Sequence, residues 1–530
     1  MGNTTNNIIP KKGWAGLRAH FKQDLAAGFS VSLIALPLCL GIAIASGVPP
    51  LAGLITAIVG GMIASRFSGT FVTISGPAAG LIVITLGAAE SLGGAGIENG
   101  FAGYPHALGA ILIGGVFVTL FGLLKVGKVG DYFPPAAVHG MLAAIGVIII
   151  IKQFFPALGV QSPKGSILLV ATKMPAAFAE SNGYALGITL ITLLILIVHP
   201  YLRIKLIQRI PAPLWVLLLT VPVAHYFAAG QLDMVVMPRE LLGEGGIQFP
   251  SFAKIGESAF WVAVMGVALV SGIETLLSAK AVDSLDPYQR QSNLDKDLFS
   301  MGLGSTLAAA IGGLPMISEI VRSSANVSNG AKTQWSNFFH GAFLLLYLLI
   351  GVALIEMIPI AALAAMLVYT GFRLASPNEF KTMYRIGILE LELFIITLVA
   401  VLATDLIVGI AIGIISKYLF LLFKGVPVSS FFKIQVDVHT TDTITQFNLS
   451  KALIFSNYLP LKAKIDDALN TQHQVIIDVA NVFYIDHTVM EHLTSYAKQA
   501  EKEGKHIEIR HLDQLTPDSS HPLAARKKRG

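Results

Sequence analysis

Two stretches of this chain carry residue types that can hold an anion. Phe71-Val-Thr-Ile-Ser-Gly-Pro77-Ala-Ala-Gly-Leu-Ile82 and Gly312-Gly-Leu-Pro315-Met-Ile-Ser-Glu-Ile-Val-Arg322-Ser-Ser324 each set Gly and Pro inside a long apolar run. Each break is followed by a short helix-length segment. A helix that begins at such a break leaves its first N–H groups free, and these, with the positive end of the helix dipole, attract negative charge. Pro77 opens the first segment without losing a hydrogen bond. Ala78, Ala79 and Gly80 are small enough for a ligand to reach the backbone. The matching turn of the second segment offers Ser318, Glu319, Val321 and Arg322, and Arg322 adds a fixed positive charge. Kinks in two ordinary helices would explain either break alone; two breaks in matching places of two halves point to a transporter site.

Glu274 is the second residue with chemistry to offer. It lies deep in the apolar run Val267-Ala-Leu-Val-Ser-Gly-Ile-Glu-Thr-Leu-Leu-Ser-Ala279. A carboxylate there costs at least about 2.5 kcal/mol, so such acids are functional candidates. Burial favours the neutral acid, which makes Glu274 a site for proton uptake. Ser278 follows one turn later on the same face, and the pair could instead hold Na+. The competing role is an ion pair with Arg322 or Lys280 that only joins helices. Glu319 would repel an anion unless it is protonated or turned away, and it is spaced to pair with Arg322. Lys280 and Asp283 read as structural, His139 and His340 as packing residues, and Asp405 as the turn before the last apolar run.

The elements that position these groups must lie in a bilayer. The 530 residues are 54% hydrophobic and only 13% charged, with mean hydropathy +0.69. Soluble proteins carry roughly 25% charged residues. The apolar runs are helix-spanning in length, so the chain reads as an α-helical polytopic membrane protein. One cysteine, Cys39, excludes an internal disulfide framework, and no cleavable signal peptide is visible. About 14 spans are predicted between residues 25 and 424, with the broken ones third (71–91) and tenth (316–330) and Glu274 in the eighth (258–281). The region 153–182 has room for another short helix.

Basic residues set the orientation. With the N-terminus inside, the inner loops receive Arg66, Lys125, Lys128, Arg203, Lys205, Arg209, Arg290, Lys296, Lys332, Arg373, Lys381 and Arg385, while the loop at 92–104 has none. Both termini are then cytoplasmic, in an inner (plasma) membrane. Seven spans precede the polar stretch 231–255 and seven follow it. An odd number per half inverts the halves, giving repeats at 25–230 and 256–424 behind a basic lead at 1–24. The two half-helix N-termini then meet near the midplane.

Beyond about residue 425 the composition changes. Strands are predicted from Thr443 to Leu449, Val475 to Val479 and His506 to Ile509, with helices at Ala463–Leu469 and Val489–Glu503. Strand–helix alternation gives a small cytoplasmic α/β domain at 432–515. Thr488-Val-Met-Glu491 reads as a capping box opening the second helix. The basic tail at 516–530, with Arg526-Lys-Lys-Arg529, reads as disordered.

In these motifs the chain resembles the SulP anion permeases, the sulfate permease or solute carrier 26 family. The matching pieces are Ala35-Leu-Pro-Leu-Cys-Leu-Gly-Ile-Ala43, Ser75-Gly-Pro-Ala78, Glu274 to Asp283, and Gly313-Leu-Pro315 with Val321 to Asn326. Val475 to Thr488 resembles a STAS domain. The resemblance implies a 7+7 inverted repeat with core and gate domains, elevator-like transport and a homodimer. It implies anion contacts at Leu38, Ile42, Ala78, Val321 and Arg322, and a coupling role for Glu274, whose glutamate is nearer the proton-coupled pattern than the sodium-coupled one. Two departures stand out: Glu319, where relatives carry a small or neutral residue, and Asp486-His-Thr-Val489, where only Thr488 keeps a hydroxyl at the STAS helix start.

The expectation is therefore a secondary active transporter of a small inorganic anion, sulfate or bicarbonate, coupled to H+. The alternatives are sodium-coupled bicarbonate uptake and a passive anion channel or exchanger. No P-loop, metal-spaced His/Cys set or nucleophile triad is present, so an enzyme is not expected. Neither cofactor, metal nor nucleic acid is expected; the partners are the anion, the lipid bilayer, a second copy of the chain and a cytoplasmic protein at the STAS domain.

Overall fold

The computed structural model describes residues 9–128, 133–163, 165–202, 204, 207, 210–238, 246–441, 444–471, 474–502 and 504–528. Of the residues used above, Arg203, Lys205, Arg209, Thr443, Glu503 and Arg529 lie outside these. Two compact units form: Met1–Gly127 with Ile145–Leu374, and Lys128–Ala144 with Ala375–Gly530.

Seven helices of the described chain are long and apolar enough to cross a membrane. They account for half of the fourteen predicted spans. The remainder are shorter helices or, in the third and tenth, a strand followed by a half-helix. The region 153–182 holds two short helices, Ile167–Thr172 and Met174–Ala179.

In the first unit, α1 (Gly13–Ala45) packs on α2 (Pro50–Met62) and on the helix Trp335–Ile350. α3 (Ile82–Ser91) follows the first break, and α4 (Tyr104–Leu123) packs on Ser258–Leu285 and Leu294–Ala310. Small residues allow the close approaches: a Cβ on Gly341 would stand 2.9 Å from the Gly61 Cα. Three aromatic pairs, Trp14–Trp335, Phe21–Phe339 and Phe29–Phe343, run along α1 and its partner with centroids 5.1, 5.4 and 5.1 Å apart.

The two broken segments meet as a hairpin-like pair. β1 (Ile74–Gly76) lies antiparallel to β2 (Ile317–Glu319), with Ser75 opposite Ser318. Neither strand is long enough to satisfy its own backbone. At membrane depth those groups need protein partners, and side chains provide them. Ser323 Oγ accepts from Ile74 N at 2.9 Å, and Asn326 Nδ2 donates to Val72 O at 2.7 Å. Asn337 Nδ2 donates to Ser75 Oγ at 3.1 Å. The unwound chain before β2 is held by Tyr104 Oη on Gly312 O at 2.9 Å and by Leu314 N on Thr56 Oγ1 at 2.5 Å. Gly312 itself sits at φ +80°, where a side chain would be strained.

In the second unit a sheet of order β3-β4-β5-β8-β7, with β6 also on β5, is covered by the helices Tyr458–Thr471 and His487–Lys502. β3 is Gln435–Thr440, β4 Ile444–Leu453, β5 Gln474–Ile485, β6 His506–Arg510, β7 Leu515–Pro517 and β8 Arg526–Lys528. The sequence reading misses β3 and gives the tail as disordered. Instead β8 pairs with both β5 and β7, and Ala524 and Ala525 beside it are buried. The capping-box reading is also corrected. The helix begins at His487, Asp486 Oδ1 accepts from Val489 N at 2.8 Å, and Thr488 Oγ1 is buried without a partner among the described residues. Burial pushes the Asp486 carboxyl up from its usual range, against the pull of the Lys417 charge and of the Val489 and Phe455 N–H groups.

This unit also contains the helices Ile388–Ala403 and Leu406–Phe423, the second capped by Asp405 Oδ1, which accepts from Ile407 N at 2.9 Å. Leu421, Val426 and Phe431 form one apolar cluster with Ile454, Phe455 and Tyr484 of the α/β fold. Beneath it, Lys417 Nζ and Glu390 Oε1 form a buried pair at 2.5 Å. His139, read from the sequence as a packing residue, is also paired: its Nδ1 lies 3.0 Å from Glu379 Oε2.

Candidate functional site

The antiparallel pairing of β1 and β2 sets the 3-10 turn Ala79–Leu81 beyond one end of the short ladder, where Gly76 faces Ile317, and the half-helix Ile320–Ser328 at the other, where Glu319 faces Ile74. Arg322 lies between the two segments. It is 1% exposed. Its Nη2 donates to Pro77 O at 2.5 Å, and its Nη1 lies 3.5 Å from Cys39 Sγ of α1. A Cβ on Gly76 would stand 2.6 Å from Nη1, so glycine there is what admits the guanidinium. Nε finds no hydrogen-bond partner among the described residues. Glu319 caps the half-helix: its Oε2 accepts from Arg322 N at 2.7 Å and lies 4.0 Å from Nε.

Glu274 comes to the same place from the other side. It is buried, and its carboxyl packs directly on Gly80, where an added Cβ would overlap it. Oε1 accepts no hydrogen bond from the described residues. The competing ion pair with Arg322 is not formed among the described residues, and the acid stands against the first half-helix instead. Ser278 is buried one turn further along the same helix.

Asp297, from Leu294–Ala310, is fully buried below this junction. Its Oδ1 accepts from Ser68 Oγ at 2.7 Å and its Oδ2 from Ser318 Oγ at 2.6 Å. It fixes the loop before β1 to β2. Ser318 is thus committed to Asp297. His340 is fully buried with both ring nitrogens unpartnered among the described residues.

Residues 21–397 match the sulfate permease family, and residues 435–513 match the STAS domain. The chain belongs to the sulfate permease family. It is an anion transporter and not an enzyme. It is similar to the putative sulfate transporter YvdB of Bacillus subtilis, at 29% identity over 76% of this chain and 73% of that one. It is similar to the bicarbonate transporter BicA of Synechocystis, at 26% identity over 75% and 69% of the two chains. Among solved structures, the transmembrane domain of a cyanobacterial bicarbonate transporter BicA aligns with TM-score 0.66 and 25% identity, over 74% of this chain and 97% of that one. SLC26A9 aligns with TM-score 0.69 over 93% of this chain and 84% of that one; at 14% identity it shares the fold.

Within this permease fold the residues singled out from the sequence fall as follows. Ala78, Ser318, Arg322 and Ile42 are buried, Ala79 and Leu38 are half-buried, and Val321 is 39% exposed. Ala78 and Arg322 stand at the junction, linked through the Pro77 carbonyl. Sequence reasoning missed Cys39 as the neighbour of Arg322, Asp297 as the anchor of Ser318, and Gly76 and Gly80 as the gaps that admit Arg322 and Glu274. Asp297 carried no distinct signal, since it lies in the charged helix start Asp295-Lys-Asp297, and the glycines carried none either, because only the fold shows what faces them.

Proposed function

We propose that this permease is a secondary active transporter that takes up sulfate or bicarbonate together with a proton. The observation that carries the reading is the junction itself: two half-helices that start at the two ends of one short antiparallel ladder, with the buried Arg322 guanidinium reaching from the second to the Pro77 carbonyl before the first, and the Glu274 carboxyl against the first. The half-helix N–H groups and Arg322 bind the anion. Glu274 takes the proton, so the loaded site crosses the membrane with less uncompensated charge. Movement is elevator-like, carrying the broken segments and their supporting helices past the rest of the membrane domain. The chain works as a homodimer in the inner (plasma) membrane, with both termini and the STAS domain cytoplasmic and the STAS domain open to a protein partner.

The experiment is uptake of radiolabelled sulfate and bicarbonate into proteoliposomes under imposed proton or sodium gradients. An inward proton gradient drives uptake by the wild type. Glu274→Gln still binds and exchanges the anion but no longer responds to the gradient. Wild-type pH response in that variant would make Glu274 structural. A second reading rests on Ser278, buried one turn from Glu274: the two could seat Na+. Uptake that requires sodium and ignores pH selects it, whereas current uncoupled from either gradient selects a channel.

A further inference from the structure

Glu319 puts a negative charge where the anion must bind, and its geometry gives that charge a use. Its carboxylate takes the backbone N–H of Arg322 at 2.7 Å and lies 4.0 Å from Nε. Those are donors that an incoming anion would seek: a first-turn N–H that the half-helix itself cannot satisfy, and the edge of a guanidinium. Helix caps are ordinarily Ser, Thr, Asp or Asn; glutamate reaches further, and here it reaches the substrate's donors. The site nonetheless keeps unpaired polarity. Arg322 Nε and both nitrogens of His340, all buried, have no hydrogen-bond partner among the described residues. Ile320 and Val321 are 40% and 39% exposed, so the first turn of the half-helix is open to approach while Arg322 behind it is sealed.

We propose that Glu319 is a tethered internal anion: before substrate arrives its carboxylate holds the Arg322 backbone N–H and stands beside the guanidinium, and the substrate, a small oxyanion, must displace it. Resting on the anion site argued above, this adds a proton step at binding. The charged and titratable groups facing Glu319 are Arg322 on its own half-helix, Glu274 from Ser258–Leu285 and Cys39 from α1; His340 from Trp335–Ile350 interacts with Arg322, and Asp297 of Leu294–Ala310 holds the adjacent Ser318. β1 contributes no titratable side chain. A substrate anion arriving beside two carboxylates favours the neutral acid. The displaced Glu319 carboxylate therefore takes a proton from a solvent hydronium ion, forming one O–H bond and leaving water, as the anion takes its place on Arg322. Glu319 sets the proton dependence of affinity, while Glu274 sets the response of transport to the gradient.

The test is calorimetric titration of the purified full-length protein with sulfate at pH 6 and pH 8 and with bicarbonate at pH 8. Wild type should bind sulfate more tightly at pH 6. Glu319→Gln should bind at pH 8 at least about tenfold more tightly than wild type, as expected from removing a competing charge-assisted hydrogen bond, and should lose the pH dependence. Arg322→Ala should weaken binding at least about tenfold in either case. Titrating Glu274→Gln in buffers of different ionisation enthalpy gives an independent reading that leaves Glu319 intact: about one proton should be taken up per anion bound. Wild-type affinity and pH dependence in Glu319→Gln, with binding weakened at least about tenfold in Arg322→Ala, would overturn the tethered anion and leave the site standing; so would absence of proton uptake. Unchanged binding in both variants would overturn the site and the tether together.

Discussion

Gly80 and Glu274 share one space: the carboxyl of Glu274 occupies the volume that a Cβ on residue 80 would fill. The small residues after the first break thus do two things. They leave the backbone open, and they let an acid from another helix stand against it. Gly80→Ala should push the carboxyl aside. Overpacking of this kind costs about 1–3 kcal/mol, so the variant should remain folded with a lowered melting temperature, and its uptake should lose proton-gradient dependence as in Glu274→Gln. Unaltered gradient dependence would separate this packing from coupling.

Ala78 tests whether the space beside the first half-helix is the substrate's. Ala78→Phe should fill it and stop uptake while the protein still purifies as a folded species. Full-rate uptake, measured with labelled anion in proteoliposomes, would place the anion elsewhere.

The STAS helix start gives a contrast between neighbours. Asp486 accepts from both Val489 N and Phe455 N, each at 2.8 Å, whereas Thr488 Oγ1 makes no hydrogen bond among the described residues. Asp486→Ala removes a cap worth about 0.5–2 kcal/mol and leaves a second buried donor unpaired. Thr488→Val should change the melting temperature little, because it removes no hydrogen bond. A larger drop from Thr488→Val than from Asp486→Ala would restore the capping-box reading.

The Lys417–Glu390 pair is buried, with Glu390 Oε2 unpartnered among the described residues. Lys417→Met should therefore destabilise by about 3–5 kcal/mol, chiefly because it leaves the Glu390 carboxylate buried without a counter-charge. Lys417→Met combined with Glu390→Leu should recover most of the melting temperature. A double variant as unstable as the single one would show that the pair contributes more than mutual compensation.

Much of this was legible in the sequence. Gly, Pro and the surrounding apolar runs marked both broken segments, and Arg322 and Glu274 stood out because charge is costly at membrane depth. Three kinds of feature were not legible. β1 and β2 are three residues each, too short for a periodic pattern, and they pair across more than two hundred residues of chain. The basic tail looks unable to fold, yet β8 needs only backbone pairing and two buried alanines to join the sheet. The role of Glu319 as a helix cap depended on where the half-helix begins, and its use of the Arg322 N–H emerged only from the fold. Asp486 and Thr488 show the same difficulty: two residues of capping type two positions apart, of which only Asp486 caps, are separable only by geometry.

The central claim is that the anion sits where Arg322 closes the junction of the two half-helices. Anion affinity by calorimetry, measured beside the melting temperature for wild type and Arg322→Ala, tests it most directly. Removing one buried charge-assisted donor should weaken anion binding at least about tenfold, in a variant that still melts cooperatively. Wild-type affinity in a folded Arg322→Ala protein would contradict the account.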